Sequence, residues 1–173
     1  VVSIDPGNKK VALENKTLDY DKLVLATGAR PLMPPIDGIK LPGVYSFKWL
    51  DDAIQIRNNI PKTAVIVGTG PVGVEAGIAL TKRGAKVYFV EMLPRVMPRI
   101  FDDKASSLIK DVLTQHGIEV MTGERVMKIS GTDKVEGIVT DKRQITCDLL
   151  IMAAGMRANI DLAKQVGLAP GKM

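Results

Sequence analysis

Between residues 64 and 91 the chain reads AVIVGTGPVGVEAGIALTKRGAKVYFVE, and no other stretch limits the possible folds as tightly. An apolar run, Ala64 to Val67, leads straight into Gly68-Thr69-Gly70-Pro71-Val72-Gly73. A helix of small residues follows, then a second apolar run, Val87 to Val90, ending at Glu91. Strand, glycine turn, helix, strand and carboxylate stand in the order a dinucleotide site requires. Gly68 permits a tight turn, Gly70 has no side chain to block a pyrophosphate, and Gly73 lets the helix sit close to the strand. The phosphates would meet the free N–H groups and positive dipole end of that helix. Glu91 follows the glycines by roughly twenty residues, where a carboxylate accepts hydrogen bonds from an adenosine ribose. The competing reading is a tight βαβ packing turn that binds nothing; the flanking elements and the acid favour the site. Gly77, one turn beyond Gly73, is read as close helix–sheet packing.

The bulk properties exclude several classes. A chain of 173 residues with 46% hydrophobic residues suits one domain with appendages and can bury a core. No apolar run reaches the length of a membrane span, and no signal peptide is visible, so a cytoplasmic protein without a membrane partner is expected. One cysteine excludes an internal disulfide and a cysteine-rich zinc site, and no metal site is expected. The net charge of +5 is scattered, its longest runs being pairs such as Lys9-Lys10. No basic stripe with interleaved aromatics marks a nucleic-acid partner.

Along the chain, Val1 to Ile4 and Lys10 to Leu13 read as short strands around the turn Asp5-Pro6-Gly7-Asn8, with a second turn at 15–19. Tyr20 to Gly28 predicts a buried strand running into a small-residue turn. Residues 30–47, with Pro31, Pro34, Pro35 and Pro42, read as a linker. Asp51 is placed as the cap of a helix to about Asn59, with Ala53, Ile54, Arg57 and Ile60 on one face. After the βαβ unit, residues 92–101 form an irregular basic loop. Asp102 caps a helix whose apolar face is Ala105, Leu108, Ile109, Val112 and Leu113. Gly117 ends it before a short strand, Ile118 to Met121. Residues 124–147 read as three antiparallel strands, Asp148 to Ala154 as a buried strand ending at Gly155, and Ile160 to Val166 as a helix stopped by Gly167. The fold class is therefore α/β: a Rossmann-like three-layer parallel sheet with an antiparallel β-meander crossover.

Three segments, in order, resemble the flavin-dependent pyridine nucleotide-disulfide oxidoreductases. YDKLVLATGARP (Tyr20 to Pro31) is similar to the family's "ATG" segment beside FAD. The glycine turn with Glu75 and Glu91 is similar to its NAD site. CDLLIMAAGMRAN (Cys147 to Asn159) is similar to the strand and turn where the chain leaves the NAD domain. The loop LPRVMPRIFD (Leu93 to Asp102) most resembles the NADH oxidase, NADH peroxidase and coenzyme A-disulfide reductase branch.

The resemblance implies roles residue by residue. Gly68, Gly70, Pro71, Val72 and Gly73 would cradle the NAD(H) pyrophosphate and Glu91 would hold the adenosine ribose. Ile100 would lie against the nicotinamide half, and Gly155 would let the nicotinamide riboside approach the backbone. Glu75 would stand near the flavin–nicotinamide junction, or else be a solvated helix residue. Ala26, Thr27 and Gly28 would touch FAD in the full-length protein, a homodimer. The domain division implied is 1–30 as the end of an FAD-binding domain, 31–157 as the NAD(H)-binding domain with its linker, and 158–173 as a return segment. The chain opens on Val1 and closes at Met173; both ends read as cuts through something longer, with the first glycine motif and the redox cysteine expected in the absent N-terminal part. Cys147 is read as a small buried hydrophobe and His116, the only histidine, as a helix-end or packing residue. The functional expectation is the NAD(P)H-binding part of an NADH oxidase-like flavoenzyme that passes hydride from NADH to FAD, the isolated chain being inactive. The alternative is a stand-alone NAD-binding sensor module.

Overall fold

Short β-branched runs become strands only where a neighbour completes their hydrogen bonds, and the computed structural model, which describes residues 1–169 and 171, shows where that happens. The chain divides into two compact units. One comprises Val1–Arg30 together with the residues from Met156 onward; the other is Pro31–Gly155.

The first unit opens with an antiparallel meander of β1 (Ser3–Asp5), β2 (Lys10–Ala12) and β3 (Thr17–Asp19). The Asp5 side chain accepts from Asn8 N at 3.0 Å and closes the first turn. The strand at 17–19 corrects the turn expected at 15–19. Leu13 N donates to Lys16 O at 2.8 Å, so the chain has already reversed by Lys16, and Thr17–Asp19 is free to pair with Lys10–Ala12. A second correction concerns Tyr20 to Gly28. Among the described residues none of it is strand, and Val24 is 85% exposed. An apolar sequence signals only the capacity for a buried strand; without a ladder partner and a covering layer it stays irregular. β4 (Ala29–Pro31) follows.

In the second unit the proline-rich stretch is not all linker: β5 (Val44–Ser46) lies within it. Next come α1 (Leu50–Asn58), β6 (Thr63–Val67), α2 (Pro71–Lys82), β7 (Lys86–Glu91), α3 (Asp103–Gln115) and β8 (Glu119–Thr122). The meander β9 (Val126–Ser130), β10 (Gly137–Thr140), β11 (Gln144–Thr146) then leads to β12 (Leu149–Met152). The main sheet has the order β5-β12-β6-β7-β8, with every pairing parallel. β5 was invisible because three residues beside prolines carry no periodicity; its ladder with Leu150–Met152 creates it.

Strand alternation sorts the core into two layers. Ala64, Ile66, Val87, Phe89, Leu149 and Ile151 pack with Val74, Ala76 and Leu80 of α2 and Leu113 of α3. Val65, Val90, Leu150 and Met152 pack instead with Val126, Ile129, Ile138 and Ile145 of the meander. With helices on one face and the meander on the other, both faces are dry, which is why these strands read as unbroken apolar runs. Each of these side chains larger than alanine contributes about 1.5–3 kcal/mol of transfer free energy.

Two helices present faces other than expected. α1 begins after Trp49, not Asp51; Asp52 accepts from Lys48 N and Trp49 N at 2.9 and 3.0 Å. Its buried residue is Ile56, and Ile54 is exposed. α3 starts as expected, with Asp102 accepting from Ala105 N at 2.9 Å. Its inward stripe, however, is Ser106, Ile109 and Leu113, leaving Leu108 and Val112 exposed. The Ser106 hydroxyl donates to Val96 O at 2.7 Å, so a buried polar anchor turns the helix away from its purely apolar arc.

The chain returns to the first unit with β13 (Met156–Ala158), paired with β4, and α4 (Asp161–Gln165), followed by Gly167 at φ +76°. No described helix is long and apolar enough to cross a membrane.

Candidate dinucleotide site

β6 delivers the chain to the C-terminal edge of the parallel sheet, and α2 carries it away; the glycine turn is the join. Gly68 has φ +102°, and a Cβ there would lie 2.4 Å from Ala153 O. Both facts demand glycine. A Cβ on Gly73 would lie 2.4 Å from Gly68 O, so the first turn of α2 presses on the strand end. Gly70 differs. It caps α2 in extended conformation, φ −68° and ψ 173°, and a Cβ built on it meets nothing within 4 Å. Nothing in the chain crowds the Gly70 α-carbon, so the backbone there is open to approach. Pro71 occupies N1, where its missing N–H costs nothing, and the following N–H groups have no intrahelical partner. The turn is thus an open cradle with donors and a positive helix end, and the residues present fit a dinucleotide pyrophosphate.

Glu91, at the end of β7, is 8% exposed. Its Oε2 accepts from Thr69 N and Thr69 Oγ1, both at 2.9 Å, and its Oε1 accepts from Leu93 N at 2.9 Å. The sequence assigns this carboxylate to a ribose; in the structure it ties the glycine turn to the following loop. Thr69 is the residue that sequence reasoning passed over. It is fully buried, and its hydroxyl also accepts from Met97 N at 3.3 Å. A threonine between two glycines gives no periodic signal, so only the fold reveals it.

Loop 92–101 bends over this hub with Met97 at φ +47°. Ile100 sits at its end, 55% exposed, its N–H donating to Met97 O at 3.0 Å. Arg95 is held inside the loop region: its guanidinium bonds Asp103 Oδ1 at 2.9 Å and Pro98 O at 3.3 Å. Arg99 is exposed.

Val72 and Glu75, on the first turns of α2, line a groove of about 310 Å³ with Phe47, Lys48, Trp49, Leu50 and Ala53. Lys48 Nζ stands 4.4 Å from the centroid of the Trp49 ring. Gly155, with φ +106°, follows β12, and its carbonyl accepts from Leu32 N at 2.9 Å.

Ala26, Thr27 and Gly28 belong to the other unit. There Asn159 clips them in place. Its N–H donates to Gly28 O at 2.9 Å, its Nδ2 donates to Thr27 O at 2.9 Å, and its backbone oxygen accepts from Thr27 Oγ1 at 2.5 Å. Arg30 Nη1 donates to Asn159 Oδ1 at 2.9 Å.

Cys147 is buried beside the meander, and burial, with the neighbouring Asp148 charge, pushes its thiol up to about 12. It packs in the core as a small hydrophobe. His116 forms the C-cap of α3, its Nδ1 2.8 Å from Val112 O.

A parallel sheet with a glycine turn opening a helix, and an acid at the end of the next strand, defines a Rossmann-type dinucleotide-binding architecture. Comparison with known proteins agrees. The description "pyridine nucleotide-disulphide oxidoreductase" matches residues 1–172, and the chain belongs to that family. It is 38% identical to a Methanocaldococcus jannaschii NADH oxidase, over 99% of this chain and 40% of that protein. A ferredoxin reductase from Rhodopseudomonas palustris superposes with a TM-score of 0.94 at 32% identity, covering 98% of this chain and 43% of that one. A water-forming NADH oxidase from Lactobacillus brevis, solved with NADH bound, gives 0.87 at 31% identity, covering 94% and 38%. The chain thus spans about 40% of the length of the curated relative.

Proposed function

We propose that residues 31–155 are the NAD(H)-binding domain of a flavin-dependent oxidoreductase of the NADH oxidase type, and that residues 1–30, with those from 156 onward, belong to its FAD-binding side. One observation carries the reading: Gly70 is glycine where the protein's own packing leaves room for a side chain. The space is reserved for something that approaches the α2 N-terminus, and a pyrophosphate suits the donors and the helix dipole there. Glu91 supplies the ribose acceptor, Val72 joins the glycine turn around the pyrophosphate, and Glu75, Ile100 and Gly155 form the nicotinamide end. In the first unit, the backbone of Ala26–Gly28, fixed by Asn159, offers a rigid edge to a flavin. The chemistry, hydride transfer from a bound nicotinamide to a flavin, would be the cofactors' own; this chain's residues would bind, orient and set selectivity. NADH is favoured over NADPH, because the buried Glu91 carboxylate repels a 2′-phosphate and Arg95 is engaged with Asp103.

The test is a titration of the 173-residue chain with NADH, followed by nicotinamide fluorescence and calorimetry, alongside Gly70→Val. Saturable binding by the wild type, lost in the variant while far-ultraviolet circular dichroism is unchanged, is the expected result. Equal affinity in the two proteins would take the glycine turn out of the binding site.

A further inference from the structure

The turn residue Thr69 is fully buried, and a buried hydroxyl persists where its bonds matter. Its inventory is one proton and two lone pairs. The proton goes to Glu91 Oε2 at 2.9 Å, and a lone pair receives Met97 N at 3.3 Å. Thr69 N donates to the same Oε2 at 2.9 Å, and Leu93 N donates to Oε1 at 2.9 Å. An ionised carboxylate has about four acceptor positions. Three are taken by this chain, two on Oε2 and one on Oε1. The position left for a ligand is on Oε1, and the carboxylate cannot turn to offer another without breaking a bond to Thr69 or Leu93.

We infer that the Thr69 hydroxyl is a positioning group that fixes the Glu91 carboxylate and the loop backbone at Met97, and thereby sets the preference for NADH over NADPH. The inference rests on the dinucleotide reading above and deepens it. A ribose hydroxyl donates to the open side of Oε1. A 2′-phosphate in the same place has no proton to give a carboxylate, and it meets a negative charge held in place by three donors. A carboxylate free to swing would yield to that phosphate; this one does not. The second tie acts in the same direction. By accepting from Met97 N, the hydroxyl pins the loop that carries Arg95 and Arg99, and keeps it from re-forming around a phosphate.

The experiment measures NADH and NADPH dissociation constants for the wild-type chain, Thr69→Val, Thr69→Ala and Thr69→Ser. Valine keeps the shape and removes the hydroxyl; alanine relieves any misfit of valine; serine restores the hydroxyl without the methyl. The expected result is a wild-type preference for NADH that falls by about threefold or more in the valine and alanine variants, the worth of one ordinary hydrogen bond, and returns in serine. A group that only supports the fold would weaken both cofactors in parallel and leave the ratio alone. An unchanged ratio in the valine and alanine variants, with the wild type binding normally, overturns the role of Thr69 and leaves the site standing. A wild-type chain that binds neither cofactor overturns the site and this inference together. A wild-type preference for NADPH overturns the inference alone.

Discussion

A methyl group placed on Gly77 would lie 2.3 Å from Cζ of Phe89. The helix therefore packs on β7 with no room for a side chain, and Phe89 is itself fully buried and cannot swing out. Gly77→Ala should gain up to about 1 kcal/mol in helix propensity, yet lose more to overpacking, for a net destabilisation of about 1–2 kcal/mol. Thermal unfolding followed by circular dichroism decides it. A raised melting temperature would mean that the ring has somewhere to go.

The three turn glycines separate by the same reasoning. Gly68→Ala combines a left-handed φ of +102° with a backbone oxygen 2.4 Å from the new atom, so it should cost about 2–3 kcal/mol in stability whether or not nucleotide is present. Gly73→Ala meets Gly68 O at the same distance and should behave alike. Gly70→Ala should leave the denaturation midpoint nearly unchanged and weaken NADH. If all three variants lost stability equally, the cradle at Gly70 would be ordinary packing.

Glu91→Ala tests whether one carboxylate serves both fold and ligand. Its removal leaves the N–H groups of Thr69 and Leu93 without their acceptor, at about 1–3 kcal/mol where water cannot reach them. Urea denaturation should show that loss, and cofactor titration should show the NADH preference disappearing. Retained stability would mean that water replaces the carboxylate freely.

The Cys147 thiol should resist alkylation at pH 8 in the folded chain and react at once in denaturant, since burial holds it protonated. Its folded value of about 12 lies above the ordinary 9.0. Its contribution to stability is therefore complete below pH 9, where neither state is ionised, and is lost as the pH rises toward 12 and the unfolded chain alone deprotonates. Cys147→Ala should remove that part of the alkaline destabilisation. An identical alkaline profile in the variant would assign the loss to other groups.

Asn159→Ala should loosen residues 26–28, because Asn159 Nδ2 holds Thr27 O and its Oδ1 holds Arg30. Amide exchange at Gly28 and Ala29 should quicken several-fold relative to the sheet strands. Unchanged exchange would show that the backbone bonds at Asn159 suffice.

What the sequence revealed depended on whether a residue's signal was local. The βαβ unit announced itself because its strand, glycine turn, helix and second strand follow one another without interruption, and the strands of the sheet interior because both their faces are dry. β5 and the irregular Tyr20–Gly28 segment failed in opposite directions for one reason: ladder partners lie far off in sequence, present for Val44–Ser46 and absent among the described residues for the latter. The α3 face was misread because an apolar count cannot see Ser106 bonding Val96. Glu91 was legible as an acid at the end of the second strand, but its bonds to Thr69 and Leu93 were not, since they require a turn and a loop to meet in space.

Leu32 N donates to Gly155 O, so the second unit begins and ends at what is nearly a single point. β4 and β13, which flank that excursion, are paired with each other. A body attached in this way is a cassette. Its host's ladder is continuous in space although interrupted along the gene, so the two chain ends that flank the excursion already lie on adjoining strands.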